Sequence, residues 1–256
     1  MKKIIFVLAF VFISLPFLLT ACSNGPSESK QYDFTNFTGA QVSGPFDLSV
    51  TPSNSYSISI IAPQDRFNNI KLEKSGDTLE VGMNFSFWNF WRNFGSKSKL
   101  EISMPELDIL NLSGATSGTV TGFTSNSNFH LELYGASSAE VKIGAYDTSI
   151  DLTGASHASG VFNIHDLTLT VSGASNAVLS GIGNDLNLQV SGASSADLGN
   201  LQLVNANVEL TGASHGTVDA SGKLNITASG ASSLSYVGNP SIGTIDVTGA
   251  SSIHQK

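Results

Sequence analysis

The chain has 256 residues, with 12 basic and 20 acidic side chains, a formal charge of −8 and one cysteine. An acidic chain without a basic block is a poor partner for nucleic acid or anionic headgroups, and a lone cysteine leaves no intrachain disulfide. Charged residues make up only 12% of it, about half the usual fraction; Ser, Thr, Asn and Gly fill the polar surface instead.

Residues 1–21 read as an export signal: Lys2 and Lys3 form the charged start, and Ile4 to Leu19 is almost wholly apolar. That run is short for a spanning helix. It ends in Leu19-Thr20-Ala21-Cys22, which resembles the bacterial lipobox, so cleavage before Cys22 and lipidation of Cys22 are expected. Two or more acyl chains give stable membrane attachment. The mature chain then carries ten basic and twenty acidic residues, a charge of −10. Residues 22–31 are expected to be the lipidated Cys and a flexible polar tether. Ser23 lacks the Asp that retains some lipoproteins at an inner membrane.

Residues 32–105 form a distinct N-terminal β segment. Phe46–Val50, Tyr56–Ile60, Ile70–Glu73 and Leu79–Val81 alternate apolar and polar residues, with turns at Pro52-Ser53-Asn54, Pro63 and Ser75-Gly76-Asp77. They are expected to start or cap a solenoid built by residues 106–256, because stacked folds need an atypical end.

Residues 106–256 hold eight copies of one motif, centred on Gly114, Gly135, Gly154, Gly173, Gly192, Gly212, Gly230 and Gly249. The spacing is about 19 residues, the sign of a stacked repeat. Four and two residues before each Gly stand aliphatic side chains, such as Leu131 and Leu133; the residue between is always polar, from Asn111 through Glu132, Asp151 and Thr170 to Asp246. This is a half-buried strand. Gly-Ala turns the chain, and a second strand comes next with Ala139, Ala158, Ala177 and Ala196 facing inward. The fold class is all-β: a parallel β-helix with coils of about 19 residues, of the expected right hand. Eight coils would give a rod of about 38 Å. Nothing resembling a cap comes after the eighth motif, so self-association through the C-terminal edge is expected.

The lipobox, the N-terminal β segment and the repeated Gly-Ala-Ser coils together resemble the head GIN domain family of bacterial auto-transporter adhesins, over roughly residues 32–256. The resemblance implies an exported β-helix, often a lipoprotein. It implies no catalytic residues.

The chemistry-bearing candidates are few. Gly212-Ala-Ser-His-Gly216 matches the nucleophile elbow, which needs a strand-to-helix turn; here it is one of eight equivalent corners, and its Ser reads as part of a hydroxyl ladder. His157 and His215 share a motif position but lie three coils apart, too far for one metal ion. Glu132 and Asp151 stack in adjacent coils, and two carboxylates are the minimum for cation binding or polysaccharide cleavage; the next two positions, Thr170 and Gln189, extend no acidic cluster. Gly181-Ile-Gly183 is only a fragment of a nucleotide fingerprint. No metal and no cofactor is expected.

The outlier is the stretch Phe85, Phe87, Trp88, Phe90, Trp91, Arg92 and Phe94, with Lys97 and Lys99 beside it; both tryptophans of the chain lie here. It is expected either to cap the end of the solenoid or to form an exposed hairpin that binds a glycan, an envelope protein or the membrane interface. The function expected from these features is non-enzymatic: a lipid-anchored cell-envelope protein presenting a β-helix surface for adhesion. A carbohydrate-active β-helix enzyme and a structural or sensory lipoprotein with a protein partner are the alternatives. Fold does not choose among them.

Overall fold

The computed structural model describes residues 27–84 and 97–256. Every repeat forms one coil of two strands joined by the Gly-Ala-Ser corner. Ile109–Ser113 (β8) and Ser117–Thr124 (β9) make the first, Phe129–Leu133 (β10) and Ser138–Gly144 (β11) the second, and Ser241–Val247 (β22) with Ser252–Gln255 (β23) the eighth. Equivalent strands stack in parallel, so the coils share two sheets, of twelve and eleven strands. The result is a β-solenoid with two faces. The register is that of the motif: Leu131 pairs with Ile150 and Glu132 with Asp151 in the next coil.

Alternation explains the packing. The aliphatic pair before each Gly is buried in seven of eight coils, from Leu110 and Leu112 to Ile226 and Ala228, and the facing sheet supplies Ala139, Ala158, Ala177 and Ala196. One continuous apolar core runs between the sheets. A single coil exposes both sides of its apolar layer; only stacking buries them.

The corners are held by backbone. Ala136 N–H donates to Gly114 O at 2.9 Å, Ala155 to Gly135 at 2.7 Å, and the ladder continues to Ala250 and Gly230 at 2.7 Å. All eight motif glycines have φ between +70° and +81°, a region costly for residues with a Cβ. The hydroxyl residue next in the corner is inside: Thr116, Ser137, Ser156, Ser175, Ser194, Ser214 and Ser232 are buried. Ser137 Oγ donates to Leu112 O at 3.1 Å and to Tyr134 O at 2.9 Å, so the hydroxyl ties one coil to the last.

The N-terminal segment both extends the solenoid and closes it. Gly39–Ser43 (β2) and Phe46–Pro52 (β3) form a coil against β8 and β9, turned by Gly44 at φ +123°. Thr78–Met83 (β6) and Ser98–Met104 (β7) form another beyond it, again parallel. Antiparallel strands then finish each sheet: Ser57–Pro63 (β4) lies on β7, and Ile70–Ser75 (β5) on β6. The six-residue 3-10 helix Gln64–Asn69 joins β4 to β5, with Phe67 and Arg66 buried. Antiparallel terminal strands break the parallel register on which further coils would stack.

One expectation is corrected. Residues 27–31, expected in the flexible tether, lie in strand Ser27–Tyr32 (β1), antiparallel on β4. All but Tyr32 are exposed, so no apolar alternation marks the strand. Backbone pairing with a free edge holds it, helped by Lys30, whose ammonium lies 4.1 Å from the Phe67 ring centroid.

A Cβ added at Gly173 would sit 2.6 Å from Gly154 O, whereas one at Gly76, also at positive φ (+57°), meets nothing within 4 Å. Gly173→Ala should therefore cost at least about 2 kcal/mol and Gly76→Ala about 1 kcal/mol. Denaturant unfolding of the two variants checks the order; equal losses would mean that corner stacking is not what demands glycine.

Candidate functional site

The outward side chains of the eleven-stranded sheet form a straight column: Glu80, Gln41, Asn111, Glu132, Asp151, Thr170, Gln189, Glu209, Thr227 and Asp246. Glu132 and Asp151 do meet in adjacent coils, but each has a local partner. His130 Nε2 lies 3.0 Å from Glu132 Oε1, and Ser149 Oγ is 3.5 Å from Asp151 Oδ2. Tyr134, 41% exposed, stands beside them. Its phenol is raised above the ordinary value of 10.0, first by burial, then by the hydrogen bond to Glu132 and the charges of Glu132 and Asp151. The recess between Tyr134, Glu132, Asn111 and Gln41 is only about 110 Å³, less than a sugar site of ordinary size.

A second cluster lies where the chain enters this sheet. Asn128, Asp147, Asp166, Asp185 and Asn205 occupy one position in five successive coils, linked by side chain to backbone: Asp185 N–H donates to Asp166 Oδ1 at 3.2 Å, and Asp147 N–H to Asn128 Oδ1 at 3.3 Å. Asn205 Nδ2 donates to Asp185 Oδ1 at 2.8 Å. His165 Nδ1 reaches 3.4 Å from Asp147 Oδ1 and 3.2 Å from Asp166 Oδ1, and its ring stacks on Tyr146 with centroids 4.7 Å apart and planes 10° off parallel. Shallow recesses flank the cluster, about 400 Å³ beside Asp147 and His130 and about 500 Å³ beside Tyr146 and His165. The sequence pattern draws attention to the column three residues before each motif Gly and away from this one, although Asp147, Asp166 and Asp185 recur every 19 residues.

The other sequence candidates are placed apart from these clusters. Ser214 is wholly buried in its corner, out of reach of a substrate. His157 pairs with Asn176, Asn176 with Ser195 and Ser195 with His215; the two histidines stand three coils apart, and His157 Nδ1 contacts Asn176 Nδ2 at 3.2 Å. Cys22 and the aromatic stretch Phe85, Phe87, Trp88, Phe90, Trp91, Arg92 and Phe94 lie outside the described residues. The neighbouring lysines are neutralised: Lys97 Nζ is 3.1 Å from Asp47 and Lys99 Nζ 2.6 Å from Glu101.

A two-faced parallel solenoid, closed at one end by antiparallel strands, defines a class of β-helix protein. Residues 36–240 match the family described as "Putative auto-transporter adhesin, head GIN domain", and the chain belongs to it. Three solved structures share the fold. A "putative lipid binding protein" from Parabacteroides distasonis is 18% identical, covers 91% of this chain and 98% of its own, and superposes with a TM-score of 0.82. A "putative adhesin" from the same organism is 12% identical, with coverage of 91% and 98% and a TM-score of 0.81. A "putative adhesin" from Parabacteroides merdae is 15% identical, with coverage of 91% and 97% and a TM-score of 0.77. No curated protein matches the sequence.

The raised Tyr134 phenol gives a pH test. The folded state holds this proton more tightly than the unfolded chain, so its contribution to stability is full below pH 10 and is lost as pH rises through the folded value. Glu132→Gln should let Tyr134 ionise at lower pH, seen by alkaline difference absorbance, and should flatten the alkaline loss of stability. An unchanged titration would show that Glu132 does not act on the phenol.

Proposed function

We propose that the chain is a lipid-anchored, non-enzymatic protein of the cell envelope whose rod presents its faces for adhesion. The observation that carries this reading is where the anchor would attach. Cys22 lies five residues before Ser27, the start of β1, and β1 is the last strand at the capped end of its sheet. Four intervening residues span at most about 18 Å. The lipid therefore holds the capped end at the bilayer, and ten coils lead away from it for roughly 48 Å. Family membership and the two adhesin relatives support adhesion; the partnered carboxylates and the inaccessible serines favour binding over catalysis.

Pro63 pairs with Ser27, and Ile61 with Lys99, so the chain leaving Lys97 and the chain entering Ser27 meet one edge of the capped end, two strand spacings or about 10 Å apart. The aromatic residues Phe85, Phe87, Trp88, Phe90, Trp91 and Phe94, which precede Lys97 in the chain, are proposed as a second contact with the membrane surface. In the full mature protein, Cys22→Ala should abolish acylation and release the protein from membranes, as read by N-terminal mass spectrometry and fractionation. Trp88 and Trp91 emission of the C22A protein should shift to the blue with phosphatidylcholine vesicles. Unchanged emission there, together with a shift on a glycan panel, would move the aromatic contact from membrane to sugar; intact retention of C22A would overturn the anchor.

The last coil of the described residues leaves core positions in solvent. Ile245 and Val247, which hold core positions, are 51% and 39% exposed. Both lie in β22, and β22 and β23 end the two sheets on that side. A lone peptide strand satisfies one edge; an occupant of both must present two strands across the same apolar thickness, as a second copy of this end does by two-fold symmetry. Sedimentation should show a concentration-dependent dimer that Ile245→Lys dissociates. A monomer at every concentration would exclude the pairing.

A further inference from the structure

The cluster at the entry corner sets an imidazole beside the carboxylates of two successive coils. Asp147 Oδ1 and His165 Nδ1 are closed to solvent and have no hydrogen-bond partner, although their side chains are 46% and 42% exposed overall. They form an ion pair with each other at 3.4 Å rather than a hydrogen bond, which leaves both atoms short of full pairing. Asp147 and Asp166 each offer a carboxylate oxygen, and His165 a ring nitrogen, within 4.8 Å of one another.

The distances suit a coordination centre. With metal–ligand bonds of about 2.0–2.1 Å, a tetrahedral site has ligand–ligand edges of roughly 3.3–3.4 Å. Two of the three edges here are 3.4 Å and 3.2 Å. The third lies within 4.8 Å. We propose that Asp147, His165 and Asp166 bind a divalent first-row transition ion, of the zinc type, leaving a coordination position open to the solvent side.

The chemistry of the donors selects the class of ion. An imidazole nitrogen with two carboxylate oxygens suits zinc and its first-row neighbours. Calcium asks for six to eight oxygens, which three side chains and a shallow recess do not supply. The surroundings hold the ligands as a metal site requires. Tyr146 stacks on the imidazole and fixes its plane. Asp185 N–H donates to Asp166, and the backbone of Asp147 is pinned by Asn128. Asp185, the next carboxylate in the column, is engaged by Asn205, which leaves it outside the ligand set. The ion-pairing partner of both aspartates is His165 itself, so no lysine or arginine competes for them among the described residues. A divalent ion would also relieve the repulsion of carboxylates stacked at the strand spacing.

The test uses the purified mature chain, freed of metal with a chelator. Calorimetric titration with Zn²⁺ and visible absorption with Co²⁺ should each show one equivalent bound, and Tm should rise with ion concentration. Asp147→Asn, His165→Ala and Asp166→Asn should each weaken binding by at least about tenfold, while His157→Ala and His215→Ala leave it unchanged. The milder His165→Asn, with its circular dichroism spectrum compared to wild type, separates loss of a ligand from loss of fold. Absence of uptake by the wild-type chain, or uptake that survives His165→Ala, overturns the site.

Discussion

Everything in this molecule hangs on the backbone contact between successive corners. Each motif Gly but the last offers its carbonyl to the Ala amide of the next coil, and the approach is so close that a Cβ at Gly173, Gly192 or Gly230 would meet the preceding carbonyl at 2.6 Å. Glycine is needed twice over, for its left-handed backbone and for its missing side chain. Once corners stack at this distance, the strands on either side come into parallel register, and the aliphatic residues before the Gly meet their counterparts at the strand spacing. The two sheets, the core between them and the straight columns outside them all arise from that one repeat distance.

The repeats are legible in the sequence because period-two alternation and a period of 19 residues reinforce one another. Leu131, Leu133 and Ala139 announce their burial in one copy, and the other copies repeat the message. The N-terminal coils are not legible in the same way. The β2–β3 coil turns at Ser43-Gly44-Pro45, without Ala-Ser, and the β6–β7 coil has residues 84–97 where its corner would be. β1 is exposed on nearly every side chain, so its pairing is written in backbone alone, which a side-chain pattern does not report.

The entry-corner cluster shows a different limit. Asp147 and Asp166 are one coil apart in sequence, and the period places them together. His165 is adjacent to Asp166 in the chain, and alternation would send neighbours to opposite faces. It joins the aspartates because residues 164 and 165 lie between strands and Asp166 only begins the next one, where the strand rule lapses. Solenoids concentrate chemistry at such turns for a physical reason. Strand faces are fixed by register, so only a corner can aim side chains of consecutive residues at one point.

The order of coils in space differs from their order along the chain. The β2–β3 coil sits between β6–β7 on one side and β8–β9 on the other, with Gln41 paired to both Glu80 and Asn111. A chain that folds from its N-terminus forms this coil first, with both of its edges bare. It becomes the seed of growth in two directions: outward through the later strands of the cap, and onward through the repeats. Loop closure to Glu80 is shorter than to Asn111, so the capping side is entropically the easier to complete. The capped end is then the end that forms first, and the repeats are laid down on a finished template, one coil at a time.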